Sequence, residues 1–302
     1  MTKLFIKKTF ILLKTIEIKY IINQINVIIR DYLIHTSIVM RQPEINIAEK
    51  AAFKAGGVLL RLQKQVHSLH VVKKKENDFA SIADQAAEQA IVEVISKAHP
   101  EHAILGEEGG LKGNPDSDHV WIIDPLDGTT NFLHGIPHYC VSIALEINGV
   151  IEHGLIHDPI RDETFYASKG HGAFINDTRL RIDQKANLSG AIIATGFPFR
   201  RRDVFNRYML QFKTIFKAVG DVRRAGSAAL DLAYVAAGRV DGFWEMGLEK
   251  WDMAAGALIV SEAGGDCMDF KLKKDYLKSG NIIAGNLKII AALQNKIKSS
   301  GA

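Results

Sequence analysis

From residue 44 onward the apolar positions of the chain fall into two alternating patterns. Ile47, Ala51, Ala55, Val58, Leu62 and Val66 recur at three- and four-residue spacing, which predicts an amphipathic helix over 44–66. Ala87, Ile91, Val94 and Ile95 repeat that pattern over 84–98, and Pro100 marks its end. Two short apolar runs follow, Ala103-Ile104-Leu105 and Val120-Trp121-Ile122-Ile123, read as buried strands that each lead into carboxylates. Residues 139–147 and 150–157 flank Asn148-Gly149, a strong hairpin signal because both turn residues tolerate positive φ. Further strands are predicted near 163–167, 191–195, 240–245, 265–270 and 281–284, and helices at 203–218, 227–237, 251–263 and 286–298. Strands and helices interleave without a strict βαβ rhythm, so the pattern implies a mixed α/β (α+β) fold with helices covering largely antiparallel sheet.

Composition separates the first 39 residues from the rest. They contain eleven Ile but no Gly, Ala or Pro, and all 25 glycines of the 302-residue chain follow Met40. Three readings are open for this segment: a translated upstream region with Met40 as the true start, a basic and apolar membrane-surface helix, or a disordered tail. The first is preferred, because a patterned sequence starts almost directly after Met40. The expected organisation is thus an N-terminal extension, 1–39, and a catalytic domain, 40–302. The extension carries six Lys/Arg against two acids and so accounts for the whole net charge of +4. A neutral body gives no electrostatic ground for general nucleic-acid binding. No apolar run reaches a membrane span. Cys140 and Cys267 lie in apolar runs and read as buried free thiols, consistent with a reducing cytoplasm.

The densest chemical signal is Trp121 to Asn131. An apolar strand delivers Asp124 at its end, Pro125 forces a turn, and Asp127 faces back toward Asp124. Two carboxylates so placed repel unless a cation lies between them. Gly128 and Thr129 open a short helix whose first N–H groups favour a phosphate. Oxygen-only ligands suit Mg²⁺ or Mn²⁺ rather than zinc. The same stretch also reads as an Asx-turn with a helix cap. Glu107-Glu108 follows the strand at 103–105 and could be a solvated loop; Asp252, at a helix start, could be an N-cap. No spacing rule joins these segments.

Their combination resembles the inositol monophosphatase family, within the lithium-sensitive, magnesium-dependent phosphatases, and most closely its bacterial SuhB-type members. The motifs are Gly106-Glu107-Glu108, Trp121 to Asn131, Ala194 to Phe199, Arg223 to Asp231, and Trp251 to Gly256. Gly109 stands where many members carry Ser, and Ser81 and Ala83 where some carry Thr. The resemblance implies a layered αβαβα sandwich with several metal ions. One would be held by Glu107, Asp124 and the Leu126 carbonyl, a second by Asp124, Asp127 and Asp252, and a third by Glu107 and water. Glu107, Asp84 and Thr129 would act on the attacking water. The amides of Gly128 and Thr129 would contact phosphate. Gly226, Ser227, Ala228 and Glu245 would hold the alcohol, with Asp127 and Asp252 also next to the substrate. Glu245 alternatively reads as an exposed acid at a strand end.

The resulting expectation is a cytoplasmic, Mg²⁺-dependent, dimeric phosphatase of inositol or related polyol monophosphates, inhibited by lithium. Sister families act on fructose bisphosphate or 3′-phosphoadenosine phosphate, but Thr130-Asn131-Phe132 and Gly226-Ser227-Ala228 have the inositol-type form. A different class of function is a regulatory partner of the transcription machinery, as the SuhB-type resemblance implies. Arg223-Arg224 would serve that partner surface or a homodimer interface, or else be a solvated or internally paired basic strand end.

Overall fold

Two mixed sheets organise the computed structural model, which describes residues 41–68 and 73–301. The reading of 1–39 lies outside the described residues. Helices α1 (Pro43–Ser68) and α2 (Lys73–Ala98) come first, the second starting earlier than its apolar repeat suggests. The larger sheet then forms from β1 (Ala103–Gly106), β2 (Gly110–Gly113), β3 (His119–Asp127), β4 (Cys140–Ile147), β5 (Val150–Asp158), β6 (Glu163–Ser168), β7 (Gly172–Ile175) and β8 (Thr178–Arg179). Its order is β2-β1-β3-β4-β5-β6-β7-β8. The smaller sheet, in the order β10-β9-β11-β13-β12, uses β9 (Ile192–Thr195), β10 (Asp221–Arg223), β11 (Gly242–Met246), β12 (Asp266–Met268) and β13 (Asn281–Gly285). Most pairings are antiparallel; β1 with β3, and β9 with both β10 and β11, are parallel.

The remaining helices are α3 (Thr129–Leu133), α4 (Phe205–Phe216), α5 (Ala228–Ala236), α6 (Lys250–Glu262), α7 (Tyr276–Ser279) and α8 (Leu287–Ser299). The α1–α2 pair packs on the outer face of the large sheet, α5 and α6 lie between the sheets, and α4 and α8 cover the small one. That is the αβαβα layering. Side-chain size explains why α5 and α6 form the middle layer. A Cβ on Gly256 of α6 would come 2.6 Å from Leu232 Cβ of α5, and one on Gly154 of β5 would come 2.9 Å from the Ala255 carbonyl. The core between the sheets accordingly combines many alanines with Ile122, Ile156, Phe165, Leu230, Phe243 and Ile282. A second core joins Ile193, Trp244 and Ile283 to Tyr208, Ile289 and Leu293 of the outer helices.

The β4–β5 hairpin turns where expected: Asn148 and Gly149 both have positive φ, 51° and 77°. Both cysteines are buried and free. One detail differs near Asp124. Pro125 does not end β3; the strand continues to Asp127, and the ladder with β4 shifts register between Asp124 and Asp127. Proline has no N–H for the ladder, so it is accommodated in a bulge rather than a turn. The bulge brings two acids of one strand toward the same place.

Candidate active site

A cleft of about 540 Å³ is lined by Glu107, Asp124, Leu126, Asp127, Gly128, Thr129, Gly226, Ser227, Ala228, Glu245 and Asp252. Five separate segments thus meet in one place, as sequence spacing alone did not require. Asp84 is the exception among the residues singled out above: it does not line the cleft. It is buried on α2 close to the Glu107 turn, and its carboxyl is pushed up to about 8, first by burial and then by the charges of Glu108, Glu107 and Glu88.

Asp124, Asp127 and Asp252 form the acidic centre, each offering a ligand oxygen within 4.8 Å of the others. Each is also anchored through one oxygen. Asp124 Oδ1 accepts from Leu126 N at 3.0 Å. Asp127 Oδ2 accepts from Ser227 Oγ at 2.6 Å and Ala229 N at 2.7 Å. Asp252 Oδ2 accepts from Glu249 N at 2.8 Å, a link across the first turn of α6. Asp252 therefore does act at a helix start, but from within the first turn rather than as the N-cap. Asp124 does make the Asx contact, with only one of its oxygens. The other oxygen of each carboxylate has no protein donor among the described residues. Burial, and then the neighbouring acids, raises Asp124 well above the ordinary carboxylate range, and burial followed by the Asp252 charge raises Asp127 to about 7. Three rigidly held, partly unsatisfied, oxygen-only donors in low dielectric fit a hard divalent cation.

Glu107 lies outside this trio. It sits in the Glu107–Gly109 turn between β1 and β2, and its Oε1 accepts from Arg200 Nη2 at 3.0 Å. The turn itself is not a free loop. Glu88 of α2 is buried, and its Oε2 accepts from Glu108 N at 3.1 Å and Gly109 N at 3.2 Å, while Lys112 Nζ donates to its Oε1 at 2.6 Å. A Cβ on Gly106 or Gly109 would lie 2.5 or 2.4 Å from a Glu88 carboxylate oxygen, which accounts for glycine at both places here.

The other half of the cleft is tied to the first by Asn131. Its Nδ2 donates to His138 O at 2.7 Å and Ala225 O at 2.9 Å, holding the Arg224–Ser227 loop against α3. Gly128, with φ 103°, precedes α3, and a Cβ there would come 3.0 Å from His138 O. Thr129 Oγ1 donates to Leu126 O at 3.1 Å, and no hydrogen bond joins it to Asp84 among the described residues. Glu245 is not an exposed strand end: it is 8% exposed on β11, and a Cβ on Gly196 would come 2.1 Å from its carboxylate. Burial, then Asp231, raises its pKa well above normal.

Asp231 and Arg200 line the cleft without an assigned role in the sequence reading, and Arg224, read there as part of a partner or dimer surface, lines it too. Asp231 is buried beside Asp127 and Glu245; it was visible only as the end of the Arg223–Asp231 motif. Arg224 is exposed just after β10, with its guanidinium 5.4 and 5.2 Å from the Phe197 and Phe199 ring centres. Arg223 pairs with Asp221 at 2.5 Å. Arg200 follows the Ala194–Phe199 motif directly, but nothing in its spacing indicated that it reaches the acids.

The chain is similar to known proteins in sequence and fold. The model of the inositol monophosphatase family matches residues 40–300. The Nus factor SuhB of Pseudomonas aeruginosa is 49% identical over 261 residues, covering 85% of this chain and 96% of that protein. The Nus factor SuhB of Escherichia coli is 47% identical over 251 residues, covering 83% and 94%. Among solved structures, the extragenic suppressor protein suhB of Bartonella henselae superimposes with a TM-score of 0.77 at 45% identity, covering 85% of this chain and 100% of that one. The inositol monophosphatase of Anabaena gives 0.75 at 39% identity, covering 84% and 94%. The match over residues 40–300 and the shared fold agree, and the chain belongs to the inositol monophosphatase family.

Proposed function

We propose that this chain hydrolyses inositol monophosphate, or a related polyol or sugar monophosphate, to the free alcohol and phosphate, using Mg²⁺ with Mn²⁺ as a substitute. The supporting observation is that one cleft is lined both by the acidic trio Asp124, Asp127 and Asp252 and by Gly226, Ser227, Ala228 and the buried Glu245. A phosphate monoester needs both kinds of partner: a cation for its charged head, and neutral and carboxyl groups for its hydroxylated body.

Asp124, Asp127 and Asp252, with Glu107 and the Leu126 carbonyl beside them, would hold the metal. When bound it supplies Lewis acidity to the phosphoryl and leaving oxygens. The amides of Gly128 and Thr129 face the phosphate from the start of α3. Glu107 and Thr129 orient a water for in-line attack. Asp84, buried on α2 close to the Glu107 turn, we assign to the same water as its proton acceptor. Attack forms a new P–O bond, breaks the ester P–O bond and leaves the alcohol oxygen to be protonated. Glu245, Ser227 and the Gly226–Ala228 backbone orient the polyol.

The test is phosphate release with Mg²⁺ from inositol 1-phosphate, fructose 1,6-bisphosphate, 3′-phosphoadenosine phosphate and 2′-AMP. Preference for the inositol ester is expected; preference for a bisphosphate or nucleotide would move the chain's substrate to a sister class. Lithium should inhibit. We further propose a cytoplasmic homodimer. No described helix is long and apolar enough to cross a membrane.

A second reading is supported by the relatives named Nus factor SuhB: a partner role in transcription or ribosomal RNA synthesis. Rescue of a deletion phenotype by an Asp124→Asn protein would favour that role over catalysis. Failure to rescue would favour catalysis.

A further inference from the structure

Arg200 belongs to none of the groups given a role above, yet it reaches both sides of the acidic centre. Its Nη1 donates to Asp252 Oδ2 at 2.8 Å and its Nη2 to Glu107 Oε1 at 3.0 Å. The two acceptors come from distant segments, the β1–β2 turn and the start of α6. Arg200 itself stands in the loop after β9, where Arg201 N donates to Pro198 O at 3.0 Å. Its side chain is 47% exposed, whereas that of Asp252 is 3% exposed. Only the partner is fixed in the protein; the guanidinium approaches it from the solvent side.

The charge balance gives this contact a meaning. Glu107, Asp124, Asp127 and Asp252 are four acids lining one cleft, and Arg200 donates to two of them. Arginine cannot lose its proton, so it stays a cation whatever else enters. A dication at the trio would repel it and, by taking up the charge of Asp252, would weaken its hold there. A half-exposed side chain can leave at little desolvation cost.

We propose that Arg200 is an internal counter-cation that occupies Glu107 and Asp252 in the ion-free site and competes with the entering metal for them. This rests on the metal reading of the cleft. Arg200 thereby holds the two ligand segments together before binding, at the expense of apparent metal affinity. If the arginine-bound form is about nine-tenths of the ion-free population, removing it strengthens apparent binding roughly tenfold.

The experiment is calorimetric titration of Mg²⁺ into the full chain without substrate, for wild type, Arg200→Ala and Arg200→Lys. Arg200→Ala is expected to bind roughly tenfold more tightly, with Arg200→Lys between it and wild type. Unchanged or weaker binding by Arg200→Ala overturns the proposal but leaves the metal site standing. If none of the three binds Mg²⁺, both are overturned. Should Arg200→Ala fail to fold, side-chain nitrogen NMR of wild type, assigned with Arg200→Lys, gives the answer. Loss of the restrained Arg200 Nη signals on Mg²⁺ addition supports competition, and their persistence at saturation rules it out.

Discussion

Ser227 Oγ lies 2.6 Å from Asp127 Oδ2, joining the cap of α5 to the bulged end of β3 across 100 residues of chain. The same hydroxyl accepts from Leu230 N at 3.3 Å, so one small side chain both caps a helix and holds a cluster carboxylate. Replacing it by alanine removes a cap and leaves a buried acceptor with one donor fewer. We expect Ser227→Ala to cost about 2 kcal/mol in urea unfolding and to weaken Mg²⁺ binding. Ser227→Thr should recover most of both. A loss for the alanine variant below about 0.5 kcal/mol would mean that Ala229 N alone suffices to hold Asp127.

Glu88 plays the matching part on the other side. Its carboxylate takes two backbone N–H groups of the turn that carries Glu107, and Lys112 satisfies the second oxygen. Glu88→Gln can keep both backbone N–H bonds on its carbonyl oxygen but loses the Lys112 bond and the charge. It should destabilise the chain by about 1–3 kcal/mol and raise the Mg²⁺ concentration needed for half-saturation, with the helical circular dichroism retained. An unchanged Mg²⁺ requirement would show that the Glu107 turn does not depend on this anchor.

Ion-free stability should fall with rising pH. Burial places Asp84 at about 8 and Asp127 at about 7, above their ordinary 3.8, and Asp124 and Glu245 shift the same way. The folded state then binds more protons than the unfolded chain between those limits. The associated stability is complete below the unfolded values and is lost as pH rises through the folded ones. In chelator, Tm should decrease from about pH 5 to about pH 8, and Mg²⁺ should stabilise more at the upper end. A Tm that rises across that interval in chelator would contradict the assignment.

The chain begun at Met40 should fold and act like the full chain. The family match spans residues 40–300, which include every cleft residue named above. Equal specific phosphatase activity and Tm are expected for the two lengths. An insoluble or inactive shorter chain would make 1–39 part of the structure.

Much of this was legible in the sequence, because period and turn chemistry are local. The α1 helix, the Asn148-Gly149 turn and the α8 boundaries follow from neighbours in the chain, although α1 buries Ile45, Ala48, Ala52 and Leu59 and leaves Ile47, Val58 and Leu62 half-buried. The edge strands at 110–113 and 178–179 were not legible, because residues such as Gly-Leu-Lys-Gly have no apolar period and pair only because β1 or β7 is already there. The cluster acids were visible as residues, and family resemblance alone joined Asp124 to Asp252. What holds them was not visible: Ser227 to Asp127, Glu88 to the Glu107 turn and Arg200 to Asp252 are all contacts between distant segments. The period-four relation of Asp84 and Glu88 on α2 was the one local hint.

The central claim is that the carboxylate trio carries the chemistry and Glu245 the choice of substrate. The most direct measurement is steady-state release of phosphate from inositol 1-phosphate, with Mg²⁺ varied, by wild type, Asp124→Asn and Glu245→Gln. Asp124→Asn should lower kcat by roughly a thousandfold or more, since it removes charge where the cation binds. Glu245→Gln should change mainly KM and leave the Mg²⁺ dependence as in wild type. Near-normal kcat for Asp124→Asn, with lost Mg²⁺ dependence for Glu245→Gln, would contradict the account.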